Sequence, residues 1–338
     1  MFGSAGTGKT VVALHRAAWL ARQHSDARIL LTTFTLPLSG DLKRRFDILI
    51  GAESPEQDLV TVEPIHALAA RLYAQHLKRT FEKVERDELR ALIVEGLARN
   101  PKAQFTKEYV LSEWDAVIDP YCVRSLEEYF AAPRKGRGHG LGKVKKMRLW
   151  GVFAHVIAEL ERQGKTTHRG LCGAVTVWLN AHPQQRPYTH VIADEAQDLS
   201  HIELRFLRAL APAAPNDLFL VGDAAQRLYG LQCSWLRAGV DVRGNASVLT
   251  VNYRTTEQIR QVSESLLPDT FEGPDGGEEQ RQARSIRQGV APTVRACSSA
   301  EEERTALAEW LDEARNSGLS PQDIGIFTRN PDYLQHAK

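Results

Sequence analysis

The sequence predicts an α/β protein with a parallel sheet, a helical insertion into it, and the opening of a second α/β domain. Three observations predict this. Short apolar runs alternate with helical stretches over residues 1–80 and again over 181–271. The intervening 81–180 segment is patterned for helix. A polar, Gly-rich stretch then leads to a renewed strand–helix–strand pattern over 293–338, so 272–292 reads as a linker.

Each element follows from local pattern. "KTVVALHRAAWLARQ" (9–23) joins helix formers to apolar residues at helical spacing. "ARILLTTF" (27–34) reads as a buried strand, and "DLVTVEPIHALAARLYAQHL" (58–77) as a short strand, a turn at Pro64 and a helix. "RDELRALIVEGLARN" and "LWGVFAHVIAELERQ" are helical, with "PRKGRGHGLGKVKKMR" (133–148) a break between helical stretches. Strand character returns at 189–194, 217–222 and 247–251, then near 293–297 and at "DIGIFT" (323–328), with a helix near 300–316.

Composition narrows the function classes. A hydrophobic share of 43% supplies a core, and no run of about 18 apolar residues suggests a membrane span. No basic-then-apolar leader is visible, and Cys122, Cys172, Cys233 and Cys297 are scattered. That spacing argues against a zinc site or a disulfide framework and suits a reducing cytoplasm. Net charge is +1, so a nucleic-acid surface must come from local clustering.

Four stretches carry candidate chemistry. The opening "MFGSAGTGKT" fits G-x-x-x-x-G-K-[ST] over Gly3, Ser4, Ala5, Gly6, Thr7, Gly8, Lys9 and Thr10. Its glycines let backbone N–H groups face phosphate oxygens at a helix N-terminus. Lys9 then reaches the β- and γ-phosphates, and the Thr10 hydroxyl ligates Mg²⁺. "VIADEAQD" (191–198) ends an apolar strand in Asp194, a Mg²⁺ ligand, and Glu195, a base for water. "LFLVGDAAQRLYG" (218–230) places Gln226 after another strand end, suited to contact the γ-phosphate or the attacking water. "LTVNYRTTEQI" (249–259) offers Tyr253 as a flat face for adenine and Arg254 as a charge for the phosphoryl transition state. Taken singly, each of the last three also reads as ordinary: an acidic turn, a surface amide, a core Tyr beside a surface Arg.

In their order, the four resemble the motor core of superfamily 1 helicases of the UvrD/Rep/PcrA type, a P-loop NTPase (RecA-like) fold. The resemblance covers nearly the whole chain. "LLTTFTLPLSGDL" (30–42) resembles that family's motif Ia and "VEPIHALA" (62–69) its motif Ib. It implies ATP and Mg²⁺ as cofactors and movement on single-stranded DNA, 3′ to 5′. Residues 1–80 and 181–271 become the first RecA-like domain (1A), 81–180 the helical subdomain (1B), and 293–338 the start of the second (2A). Phe34 and His66 would lie along the DNA track; strand-end packing and a helix-terminus contact stay open for them. The basic run with Arg134, Lys135, Arg137, Lys143, Lys145, Lys146 and Arg148 holds no acid. It would follow a phosphate backbone, with a solvated basic loop as the other reading.

There are departures. Val11 stands where the family often has an Arg that packs on adenine, and Gly230-Leu231-Gln232 replaces an aromatic-Arg-Gly base platform, with Trp235 a nearby substitute or a core residue. The upstream glutamine motif, the strand that seats the phosphate loop, and motifs V and VI do not appear in the sequence. A truncated copy is therefore expected, one that alone binds ATP weakly and does not unwind DNA. Three rival readings remain: a non-catalytic nucleic-acid-binding module, a phosphate-loop ATPase acting on proteins or small molecules, and an RNA-directed motor.

Overall fold

The computed structural model describes residues 1–338 apart from 52, 135, 136, 138, 139, 224, 225, 227–232, 268, 269, 273–277, 281, 282, 329, 331, 332 and 334–338. Two units result, 1–288 and 289–338. The first runs β1 (Phe2–Gly3), α1 (Lys9–Gln23), β2 (Ile29–Thr32), α2 (Leu36–Ile50), β3 (Val60–Val62), α3 (Ile65–Leu77) and β4 (Glu82–Lys83). It continues through α4 (Arg86–Arg99), α5 (Lys107–Glu113), α6 (Leu126–Ala131), α7 (Lys143–Arg162), β5 (Lys165–Thr166) and α8 (His168–Ala181). β6 (His190–Ala193), α9 (His201–Leu210), β7 (Leu218–Leu220), β8 (Val248–Leu249), β9 (Val251–Thr256) and α10 (Glu257–Ser265) follow. β10 (Thr270–Glu272), β11 (Glu278–Gln280) and β12 (Arg284–Arg287) complete it, and α11 (Ala300–Asn316) lies in the second unit.

β3, β2, β6 and β7 form a parallel sheet in that order. The period-2 pleat sends alternate residues to opposite faces. Ile29 and Leu31 of β2 pack with Leu14, Ala17 and Phe46 from α1 and α2. Leu30, between them, packs on the other face with Leu68, Leu171 and Phe206 from α3, α8 and α9. The sheet is thus covered on both sides, as parallel strands require. β1 pairs in parallel with β8, and Phe2 bridges Gly222 just past β7. Two residues therefore seat the phosphate loop beside the sheet, with Phe2 buried and its ring 5.3 Å from that of Trp235.

Residues 86–162 fold around their own core, in which Trp114, Tyr129, Val152 and Phe153 are buried. β4 and β5 pair at the two ends of this helical block. Among the described residues no helix is long and apolar enough to cross a membrane.

Some expectations need correction. Lys143, Lys145, Lys146 and Arg148 are not in a loop. They form the first turns of α7, because 143–150 lacks Gly and Pro and runs straight into the buried series Leu149, Val152, Phe153 and Val156. The stretch read as a linker contains β12, which pairs in parallel with β9, and the β10–β11 hairpin reaches into it. No strand forms at 293–297 or 324–328; a short 3₁₀ turn, Pro321–Asp323, precedes the latter. A strand needs a neighbour for its N–H and C=O groups, and none of the described residues of 289–338 supplies one. In that unit α11 is capped by Ser299, whose hydroxyl accepts from the Glu302 amide, and carries three glutamates in its first turn.

Candidate nucleotide site and nucleic-acid interface

The phosphate loop owes its shape to three glycines. Gly6 (φ 79°) and Gly8 (φ 88°) are left-handed, a region that costs other residues free energy. A Cβ on Gly3 would sit 2.5 Å from Thr7 Oγ1. That hydroxyl donates to Ser4 O at 2.8 Å and closes the loop. The Lys9 ammonium turns back over it and donates to Gly3 O at 2.9 Å and Ser4 O at 3.0 Å. Asp223 Oδ2 lies 3.9 Å from Lys9 Nζ. Both side chains are buried.

The acidic box meets the loop directly. Thr10 Oγ1 donates to Asp194 Oδ2 at 2.7 Å, across 184 residues of chain. Burial raises the Asp194 pKa, the Thr10 bond opposes this, and the adjacent Glu195 charge raises it further. Glu195 itself has φ 56°, a strained left-handed value at a strand end. Gln197 fixes it there. Its Nε2 donates to Glu195 Oε2 at 2.7 Å, while its Oε1 accepts from the Asp223 amide at 2.9 Å. Gln226 follows this turn, its amide donating to Asp223 O at 3.0 Å and its side chain exposed.

The Asn-Tyr-Arg stretch closes the other side. The Tyr253 amide donates to Gly6 O at 3.0 Å. Buried Asn252 accepts through Oδ1 from the amides of Arg254 (2.8 Å) and Thr255 (3.2 Å). Its Oδ1 would be 2.4 Å from a Cβ on Gly6, and Arg254 Cβ would be 2.7 Å away. The Tyr253 ring and Arg254 are exposed. The loop, Asp194, Glu195, Tyr253 and Arg254 are thereby brought together, whereas the Gln226 side chain, exposed, makes no hydrogen bond to them among the described residues. Asp223, Asn252 and Gln197 are site residues that motif reasoning passed over. Each lies inside a quoted motif, yet its work is done through contacts to neighbouring protein groups that spacing does not display.

Phe34 and His66 also meet, rings 5.2 Å apart and edge-on, with His168 stacked on His66 at 4.7 Å. His66 Nε2 lies 2.6 Å from Oε1 of the fully buried Glu203. Burial would raise the Glu203 pKa, but the His66 hydrogen bond and the Arg169 charge outweigh it and hold the carboxyl at about 2. Arg169 also donates to Asp119 at 3.3 Å. His66 is thus tied into a buried network that reaches the helical block. Glu203 was legible only as the last residue of a Ser-x-x-Glu capping box, which α9 does form with Ser200.

Three of the basic residues assigned to a DNA backbone are corrected. Arg134 and Arg137 point inward to Glu113, which is wholly buried, each at 2.9 Å. A carboxylate there needs charged donors, and it takes these two. Lys146 donates to the carbonyls of Tyr129 and Phe130 near the C-terminus of α6. Lys143, Lys145 and Arg148 stay exposed on α7, and Lys135 lies outside the described residues. So does Gly230-Leu231-Gln232, while Trp235 is a core residue.

The model of the UvrD/REP helicase N-terminal domain matches residues 1–238. A probable DNA helicase II homolog of Mycoplasma capricolum is 24% identical over 357 residues, covering 97% of this chain and 46% of that protein. DNA helicase II of Salmonella typhimurium is 26% identical over 295 residues, 79% of this chain and 38% of its own. ATP-dependent DNA helicase UvrD1 of Mycobacterium tuberculosis is 24% identical over 354 residues, 96% of this chain and 44% of its own. The chain spans less than half the length of these curated relatives. With the family model covering more than half of its residues, the chain belongs to the UvrD/REP helicase N-terminal domain family.

Proposed function

We propose that this chain is the motor portion of an ATP-dependent DNA helicase or translocase that moves 3′ to 5′ on single-stranded DNA in the cytoplasm. Residues 1–80 and 181–271 act as a RecA-like phosphate-loop domain, 81–180 as its helical subdomain, and 293–338 as the start of a second RecA-like domain, with 272–292, which carries β11 and β12, connecting them in sequence. The observation that carries the reading is the Thr10–Asp194 hydrogen bond, which joins the phosphate loop to the acidic box.

The residues suit each role. Lys9 would exchange its two carbonyl partners for phosphate oxygens, with loop amides and the start of α1 adding donors. Thr10 and Asp194 offer an all-oxygen donor pair fit for Mg²⁺, and a cation beside Asp194 offsets the burial that raises its pKa. Bound there, Mg²⁺ supplies positive charge against the phosphate oxygens. Glu195, held by Gln197, accepts a proton from water. Gln226 relays the state of the γ-phosphate, Tyr253 stacks on the base, and Arg254 stabilises transferring charge. Phe34 and His66 line the DNA track, with Lys143 and Lys145 on the helical block as backbone contacts.

Phosphate release by the whole chain, with and without oligothymidylate, tests this. The expected result is strand-stimulated turnover that Glu195→Gln lowers by roughly 10²-fold or more with nucleotide binding retained. Strand binding without turnover would favour a non-catalytic module, and no strand binding at all would refute the proposal.

A further inference from the structure

A cleft of about 1120 Å³ separates the helical block from the helices α3, α8 and α9. Neither Phe34, His66 nor the phosphate loop lines it. Five exposed cations do: Lys78, Arg79, Arg124, Arg205 and Arg237. Among the described residues none of the five forms an ion pair, whereas the sixth cation of the walls, Lys165, is held by Glu82 and Glu88. Of the three carboxylates on the walls, Asp119 is taken up by Thr167 and Arg169, which leaves Glu128, accepting from the Arg124 amide, and the exposed Glu161 to face the five cations. The cleft therefore carries an excess of positive charge that its own walls only partly offset.

Two of the cations, Arg205 and Arg237, lie near an aromatic pair. Tyr121 of the helical block and His201 of α9 stack at 4.8 Å where the two walls meet. Burial first, and then the charges of Arg205 and Arg237, push the His201 pKa down to about 4, so the imidazole is neutral at pH 7 and both guanidiniums bear on it. Guanidinium forks match phosphate oxygens two at a time, and flat neutral rings offer faces to bases.

We propose that this cleft is a second nucleic-acid site, which takes the sugar–phosphate backbone of a strand extending beyond the Phe34–His66 track. The proposal rests on the reading that the chain's substrate is nucleic acid. An acidic protein segment would find charge there too, but four of the five cations are arginines and two of them, Arg205 and Arg237, lie near the stacked rings, a set that favours phosphate and base over carboxylate alone.

Fluorescence anisotropy on the whole chain tests it, with 8-mer and 40-mer oligothymidylates over a range of salt. The 8-mer fits the track alone, and the 40-mer reaches the cleft. For Arg205→Ala/Arg237→Ala the expected result is a roughly tenfold loss of 40-mer affinity and a salt slope shallower by about 1.4, from about 0.7 per single-strand phosphate contact. The 8-mer affinity stays unchanged. Lys78→Ala/Arg79→Ala on another part of the wall, an independent variant, should move the 40-mer the same way. Unchanged 40-mer binding and slope in both variants, while wild type binds both oligomers, would overturn the second site and leave the proposed function standing. Equal losses on both oligomers would overturn it as well, as would polyglutamate displacing the 40-mer as well as unlabelled 40-mer does. Wild type binding neither oligomer would overturn both readings.

Discussion

Adding one methyl group at Gly6 probes how firmly the phosphate loop is locked to the Asn-Tyr-Arg stretch. The loop is left-handed at this position (φ 79°), which costs an alanine about 1–2 kcal/mol. The new Cβ would also lie 2.4 Å from Asn252 Oδ1 and 2.7 Å from Arg254 Cβ, closer than real Cβ contacts come. Asn252 is buried and accepts from two amides, so moving it forfeits two hydrogen bonds at about 1 kcal/mol each. Gly6→Ala is therefore expected to lose about 3–4 kcal/mol. Gly8 is the internal control. Its φ is 88°, but nothing lies within 4 Å of its added Cβ, so Gly8→Ala carries only the backbone cost of about 1–2 kcal/mol. Urea denaturation followed by tryptophan fluorescence reads both as midpoint shifts. Equal losses, or a larger loss at Gly8, would refute the inferred packing of Asn252 and Arg254 on the loop.

Two further outcomes follow from the buried charges. Glu203, held at about 2, lies below the free glutamate pKa of about 4.3, so its contribution is present above that pH and is lost as pH falls toward 2. At 1.36 kcal/mol per unit this is about 3 kcal/mol; Glu203→Gln should remove it and flatten the acid limb of a stability–pH profile, and parallel profiles would contradict it. Arg134→Ala leaves buried Glu113 with Arg137 as its remaining ion-pair partner among the described residues, at a cost of about 3 kcal/mol. Thermal denaturation should show that loss while oligothymidylate affinity stays within about twofold; a large affinity loss with unchanged stability would restore Arg134 to the DNA surface.

Much of the architecture is written in local pattern. The run Ile29, Leu30, Leu31 feeds both faces of the sheet, and that is visible in three apolar letters. The helical block is legible for the same reason, since its buried series recurs at helical spacing. What escapes is pairing at a distance. β12 joins β9 through backbone groups, which any residues can supply, so its polar sequence reads as a linker. The basic run misleads in a related way. Arg134 and Arg137 look solvated until Glu113, more than 20 residues earlier, is found beneath them. At the candidate nucleotide site the motif residues are readable because each would have to present a particular side chain. Asn252 and Gln197 were not singled out, because they work by satisfying amides and orienting neighbours.

Calorimetric titration of the chain with Mg·ATP, wild type against Lys9→Ala, tests most directly whether the converged residues form a triphosphate pocket. Wild type should give a saturable binding heat, and the variant should bind at least tenfold more weakly, about 1.4 kcal/mol or more. Equal affinity in the two proteins would mean that nucleotide, if it binds, binds elsewhere, and would contradict the pocket.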